Sequence, residues 1–361
     1  DELRKLGFGA VAIAPSGGIF RGTSAVVLTG EPAAGEGERV VKDMAYQSMA
    51  FDRRGDGYPG SQMGVIAMMR QTFLDAQWHT QALAAWAQDP KNNRVPEQSD
   101  ALLSLIGTRK LPFVFDTQDE LELLRAKKVA DEFDRQAIAL GSGLEFRRID
   151  AVAACGMPIL VPVDFPDAPD VSTLALAEAT SLRDLMTWEQ APTNPRRLKD
   201  KGVKIALTTA RLKKPSDFFA GVRTAMEKGG LSKTDALAMI TTQPAEILGV
   251  QDQLGKIAKN MIANLVIVEG ELFAEKAKIR SVWVEGRHHR ISHKRHDIDG
   301  RWQIVLSTAN KPKVEVHING DKVTTMTYLW TLAMQHSGIW VSMGILPTNN
   351  KAATRDAMNY V

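Results

Sequence analysis

Two carboxylates directly follow apolar runs, Asp116 in "FVFDT" (Phe113–Thr117) and Asp164 in "PVDFP" (Pro162–Pro166). An acid at the C-terminal end of a buried parallel strand stands at the face where barrel folds keep their reactive groups, and a pair of acids there can hold a cation or divide acid and base work. The same residues suit a plainer task. Asp116 or Thr117 precedes a helical run and Asp164 precedes a proline turn, positions that favour capping side chains. Capping is the expectation, and the two roles are compatible.

A second group lies in "GGIFRGTSA" (Gly17–Ala25), where Arg21, Thr23, Ser24 and the glycine-flanked amides form a candidate anion-binding loop. It is not a phosphate-binding P-loop, because Gly-Lys-Ser/Thr is missing. The alternative is that Gly17, Gly18 and Gly22 let a loop fold over the end of the sheet while Arg21 pairs with a local acid. Cys155, the single cysteine, follows an apolar helix in "AVAACGMP" and reads as a buried small residue; a nucleophile would need a histidine nearby. One cysteine also excludes an intramolecular disulfide and a cysteine-built zinc site. The run "RHHRISHKRH" (Arg287–His296) interleaves histidine with cations that repel a metal, and it reads as a solvated connecting loop. The remaining histidines, His79, His317 and His336, end no strand of the repeating region.

The elements that must position these residues alternate. Short apolar runs stand at Ala10–Pro15, Ser24–Gly30, Leu111–Thr117, Gln136–Gly143, Pro158–Phe165 and Val203–Ala210, several apolar at consecutive positions, as in parallel strands covered on both faces. Between them are helical stripes: Val65, Met69, Phe73 and Ala76; Ala126, Val129, Ala130 and Phe133; Phe218, Val222, Ala225 and Met226. This strand–helix alternation predicts an α/β fold, a (β/α)8 TIM-like barrel rather than a doubly wound sheet. After residue 262 the texture becomes closely spaced strands with turns at Lys311–Pro312 and Asn319–Gly320, predicting a small β module.

With 361 residues the chain has room for one large domain and a smaller one. A formal net charge of +3 is too small to imply a nucleic-acid partner, and no apolar run has the length of a membrane span. Asp1 opens partway into a helix end, so the chain reads as a fragment whose domain begins upstream.

The closing motifs carry a resemblance. Gly230-Leu231-Ser232 with Ala236-Leu237, Thr242-Gln243-Pro244-Ala245-Glu246-Ile247-Leu248-Gly249, Leu254-Gly255-Lys256-Ile257, Ala263-Asn264-Leu265-Val266 and Val282-Trp283-Val284-Glu285-Gly286 follow the order seen in the amidohydrolase superfamily. This region resembles that superfamily, including its imidazolonepropionase-like members. Ser232 with Asp235 fits a helix start, Pro244 a first helical turn and Gly249 a left-handed stop, so these positions pack rather than react. Upstream, Gly7–Gly30 and Tyr58–Trp78 look like a subgroup in which one barrel is followed by a second.

The resemblance implies hydrolysis of C–N bonds in cyclic or linear amides by water on a divalent metal, typically zinc, held at the C-terminal ends of the strands. The ligands implied are His-x-His from the first strand, a histidine from each of the fifth and sixth, and an aspartate from the eighth. At the corresponding places stand Asp116, Gly141, and Thr209 or Ala210, and no first-strand His-x-His is present. The expectation is therefore a metal-ligand-poor first barrel over residues 1–262, truncated at its start and holding no cofactor. A β module (a small β-sandwich) follows over 263–323, then a tail over 324–361. This segment would be silent alone, with a second barrel as its partner in an exported full-length protein. The alternative is a non-catalytic scaffold or binding domain.

Overall fold

The computed structural model describes residues 2–32, 39–53 and 57–292, together with the backbone of 300–305, 313–319 and 322–323. Two compact units divide the chain, Asp1–His293 and Lys294–Val361.

The first unit opens with α1 (Glu2–Lys5), β1 (Ala10–Ile13), β2 (Phe20–Thr23), β3 (Ala25–Leu28), β4 (Val40–Lys42) and β5 (Gln47–Ala50). Then come α2 (Gln62–Gln88), α3 (Asp100–Gly107), β6 (Phe113–Asp116), α4 (Glu120–Glu132), β7 (Ala137–Leu140), α5 (Ile149–Ala154) and β8 (Ile159–Pro162). After them follow α6 (Leu174–Ala179), α7 (Leu182–Gln190), α8 (Asn194–Asp200), β9 (Ile205–Thr208), α9 (Phe218–Glu227), α10 (Lys233–Ile240) and α11 (Thr242–Leu248). The unit closes with β10 (Leu265–Glu269), β11 (Lys278–Val284) and β12 (Arg287–Arg290).

The main sheet runs β2-β5-β6-β7-β8-β9. β2 is antiparallel to β5, and the other four pairings are parallel. Its parallel strands are apolar at consecutive positions because helices pack outside them: Phe113, Phe115, Ala139, Ile159, Val161 and Ile205 are fully buried. The helical stripes read from the sequence face this core. Val65, Met69, Phe73, Ala76, Ala126, Val129, Ala130, Phe218, Val222 and Ala225 are buried, with Phe133 and Met226 packed at its margin. Among the described residues no pairing joins β9 back to β2, so the sheet is an open run of six strands.

Two of the six apolar runs belong elsewhere. β1 and β3 pair antiparallel with each other, and β4 completes a separate three-stranded sheet. The alternation predicts a parallel sheet that starts with them; the main sheet instead takes β2 and β5, whose "FRGT" and "QSMA" are too short and polar to announce strands. β10, β11 and β12 form another antiparallel sheet. Val26 and Leu28 of β3, Val282 and Val284 of β11, and Val114 and Ile138 of the main sheet share one buried cluster, so both ends of the first unit are tied to its middle.

The histidine-rich run is partly a strand. Arg287–Arg290 is β12, paired residue by residue with β11, with alternating exposure along "RHHR". The expected solvated loop is thus corrected for these four residues, because backbone pairing and the packing of the His288 ring on Trp283 outweigh their charge. His293 and His296 lie outside the described residues.

The second unit holds β13 (Gly300–Val305), β14 (Lys313–Asn319) and β15 (Lys322–Val323), paired antiparallel in that order; Lys311, Pro312 and Gly320, where turns are expected, lie outside the described residues. His317 lies on β14. His336 and the segment 324–361 lie outside the described residues.

Candidate functional site

Register brings the strand ends to one edge. Ala50 pairs with Asp116 and Asp116 with Leu140, while further along the sheet Pro162 pairs with Thr208. The residues leaving these strands, from Phe51, Thr117, Gly141, Val163 and Thr209 onward, therefore share the edge where parallel sheets present their functional groups.

Asp116 is the centre of that edge. Its side chain is 17% exposed and bridges two guanidinium groups, with Arg21 Nη1 donating to Oδ2 at 2.8 Å and Arg211 Nη2 donating to Oδ1 at 2.7 Å. Gln118 Nε2 lies 3.4 Å from the same Oδ1. Asp116 does not cap a helix. Asp119 caps α4 by accepting from the Glu122 amide, and Glu122 reaches back to the Gln118 amide, a reciprocal box that leaves Asp116 free for the arginines. Burial raises the Glu122 carboxyl above its ordinary range, with the Gln118 amide opposing that shift.

Arg21 reaches Asp116 because β2 is irregular. Phe20 pairs with Met49 and Gly22 with Ser48, so Arg21 is the extra residue of a bulge, a distortion that re-aims a side chain. Its Nε donates to the Gly18 carbonyl at 3.3 Å, and the Gly18 amide in turn donates to Asp52 Oδ2 at 3.1 Å. The second reading of Gly17–Ala25 holds here: Arg21 pairs with an acid, and Gly18 is tied to Asp52 just past β5. Thr23 pairs with Gln47 in the sheet. Ser24 is buried, its hydroxyl donating to the Tyr46 carbonyl and accepting from the Tyr46 amide, so its polar atoms are used within the backbone.

Arg211 follows β9 with φ of +70°, a left-handed conformation unfavourable for a side-chain-bearing residue. In that pose it spans three strand ends. Nε donates to the Gly141 carbonyl at 2.9 Å, Nη1 to Gln118 Oε1 at 3.2 Å, and Nη2 to the Thr117 carbonyl at 2.7 Å as well as to Asp116. Thr209 and Ala210, the positions compared with an eighth-strand acid, form the short lead into Arg211; the Ala210 amide donates to Thr208 Oγ1.

Gly141 has no space for a side chain. A Cβ built there would stand 2.6 Å from Glu145 Oε1 and 3.1 Å from Ile159 Cγ2. Glu145 is fully buried; its Oε1 accepts from the Ser142 amide, the Ser142 hydroxyl and the Gly143 amide, and its Oε2 accepts from Asn194 Nδ2 at 2.6 Å. Asp164, by contrast, is exposed on the segment after β8. Cys155 is half-buried at the end of α5, its thiol donating to the Ala151 carbonyl and raised in pKa by burial. His79 is buried on α2 with Nε2 3.0 Å from the Glu97 carbonyl oxygen.

A divalent cation does not fit these residues. Both Asp116 oxygens are committed to cations, Gly141 offers no donor side chain, and Arg21 and Arg211 place two positive charges where an ion would sit. Among the described residues no group of three or more His, Cys, Asp or Glu side chains gathers. What the cluster can do is hold strand ends and attract an anion, because two guanidiniums face one carboxylate.

The sequence reading named Asp116 and Arg21 for separate tasks, and the fold joins them. Arg211, Asp52, Glu145 and Asn194 were not named. A cation immediately after the apolar run Val203–Ala210 was the available signal for Arg211.

Comparison with known proteins matches residues 186–289 to the family described as Amidohydrolase family, which spans less than a third of the chain. An amidohydrolase from Thermotoga maritima MSB8 is similar in structure, with a TM-score of 0.64 and 22% identity over 79% of this chain and 73% of that one, a likeness of fold. An adenosine deaminase from Xanthomonas campestris with bound zinc overlaps at a TM-score of 0.35 and 16% identity, covering 70% of this chain and 62% of that one, too loosely to carry an argument. A curated flavodoxin, FldP of Pseudomonas aeruginosa (strain UCBPP-PA14), is 48% identical over 42 residues, which is 12% of this chain and 23% of that protein's length. The amidohydrolase resemblance carried by the closing motifs is borne out by the family match, which covers them.

Proposed function

We propose that this chain is part of an amidohydrolase-superfamily hydrolase acting on non-peptide or cyclic C–N bonds, and that the segment is silent in that reaction on its own. The family match over residues 186–289 and the shared fold support the first part. The second rests on one observation, Asp116 held between Arg21 and Arg211 at the edge where metal-bound water would have to be made. In this reading residues 1–262 are a barrel, 263–323 contribute a β-sandwich module, and 324–361 are a tail. A second amidohydrolase barrel in the full-length protein supplies the metal chemistry. The pairing of Asp116 with two cations also favours a scaffold role, in which this barrel supports its partner and turns nothing over.

Elemental analysis tests this directly. The purified chain, dialysed against trace zinc and manganese, is expected to retain less than about a tenth of an equivalent of metal. Near one equivalent, lost in Asp116→Ala, would overturn the proposal and make Asp116 a ligand.

A further inference from the structure

The two arginines of the cluster are not equivalent. Arg211 uses every guanidinium nitrogen, with acceptors on Gly141, Gln118, Asp116 and Thr117. Arg21 donates through Nε to Gly18 and through Nη1 to Asp116, and its Nη2 has no acceptor among the described residues. Asp116 does not supply one: its Oδ2 accepts from Nη1, and its Oδ1 accepts from Arg211 and Gln118. Asp52, which accepts from the Gly18 amide, and Glu122, which accepts from the Gln118 amide, are the other acids beside the cluster, and neither accepts from Arg21. A Cβ built on Gly17, next to the Gly18 carbonyl that steadies Arg21, meets no atom of the described residues within 4 Å.

We propose that Arg21 is the anchor of an anion subsite at the C-terminal edge of the main sheet, taking a small molecule with a carboxylate or phosphate group, while Arg211 is the structural arginine that holds the edge in shape. The ligand's oxyanion accepts from the Nη2 donors of Arg21, which no described residue uses. A guanidinium held by two acceptors is already ordered, so little rotamer entropy remains to be lost on binding. The bulge in β2 gains a purpose under this assignment, because it alone turns Arg21 toward the strand ends. The inference rests on the reading of this edge as one that binds no metal.

The test is calorimetric titration of the full chain with succinate and, separately, with inorganic phosphate, at ionic strength held constant with sodium chloride. The protein is first passed over chelating resin and its metal content measured. Saturable binding of either probe is expected in the wild type, with affinity reduced by tenfold or more in Arg21→Gln, the loss of about one charge-assisted contact. Preference between the probes tells a carboxylate ligand from a phosphate one. If Arg21→Gln does not fold, Arg21→Lys serves, since its single nitrogen is held by Asp116 and its affinity is expected to fall as well. No saturable binding in the wild type, or equal affinity in the folded variant, overturns the subsite. A metal equivalent in the resin-treated protein would instead strike at the reading beneath it, so the two failures are distinguishable.

Discussion

At the scale of single residues, Arg211 is where the structure concentrates cost and gain. A left-handed arginine loses roughly 1–2 kcal/mol to backbone sterics, and it is retained because its side chain closes four contacts on the ends of β6 and β7. Arg211→Met is expected to lower the unfolding free energy by about 2–4 kcal/mol, since Asp116 loses a charged partner and two carbonyls lose donors. Urea denaturation of variant and wild type measures it, and a change within the error of the method would show that the contacts are incidental. Gly141→Ala is expected to cost roughly 1–3 kcal/mol, because the added methyl presses on a carboxylate that four donors hold in place. Thermal denaturation followed by circular dichroism reads that loss. Asp116 and Arg21 were legible in the sequence as a carboxylate after a strand and a cation among glycines. Their meeting was not, because it depends on a one-residue bulge that no pattern of residue types announces.

Helices were easier to read than strands. The closing helices behave as their sequence says: Ser232 caps α10 by accepting from the Asp235 amide, and Gly249 ends α11 at φ of +67°. Lys42 Nζ adds a donor to the Leu248 carbonyl at that end. Gly249→Ala is expected to cost about 1 kcal/mol from the left-handed backbone, and Ser232→Ala about the same from the lost cap; denaturant midpoints of the two variants check both. Strand membership was harder. β1 and β3 carry the apolar runs that a parallel strand would show, while β2 and β5 carry polar ones, and it is pairing partners far along the chain that sort them. The end strand β12 brings a pH response. His289 is held below its ordinary pKa of 6.5 by burial first and by Arg4 second. The unfolded chain therefore binds this proton more readily than the folded one. The stability linked to it is complete above about 6.5 and is lost as pH falls through the folded value. Glu31, held low by its hydrogen bond from Arg4, adds a loss of the same sign in more acidic solution. The stability difference between wild type and His289→Gln, followed from neutral pH into the acid range, is expected to narrow or reverse; a constant difference would remove His289 as the source.

At the scale of the whole molecule, α/β class and the amidohydrolase resemblance were legible because both rest on extended patterns, helical stripes and a motif series from Gly230 to Gly286. The division between a main core and a second cluster was not, since the second is assembled from Val26 and Leu28 near the start, Val114 and Ile138 in the middle, and Val282 and Val284 near the end. That cluster predicts that truncation before β10 destabilises the N-terminal sheet as well as removing β10–β12. Hydrogen exchange at Val26–Leu28 in a chain ending near residue 262 is expected to be faster than in the full chain, and unchanged protection would show the N-terminal sheet to be self-sufficient. The same geometry sets an order of events during synthesis. β3 leaves the ribosome roughly 250 residues before β11, a wait on the order of 10–50 s at ordinary elongation rates. During that interval the inner face of β3 is without the native neighbour that covers it, and the nascent chain must be kept from using that face for pairing with another copy of itself.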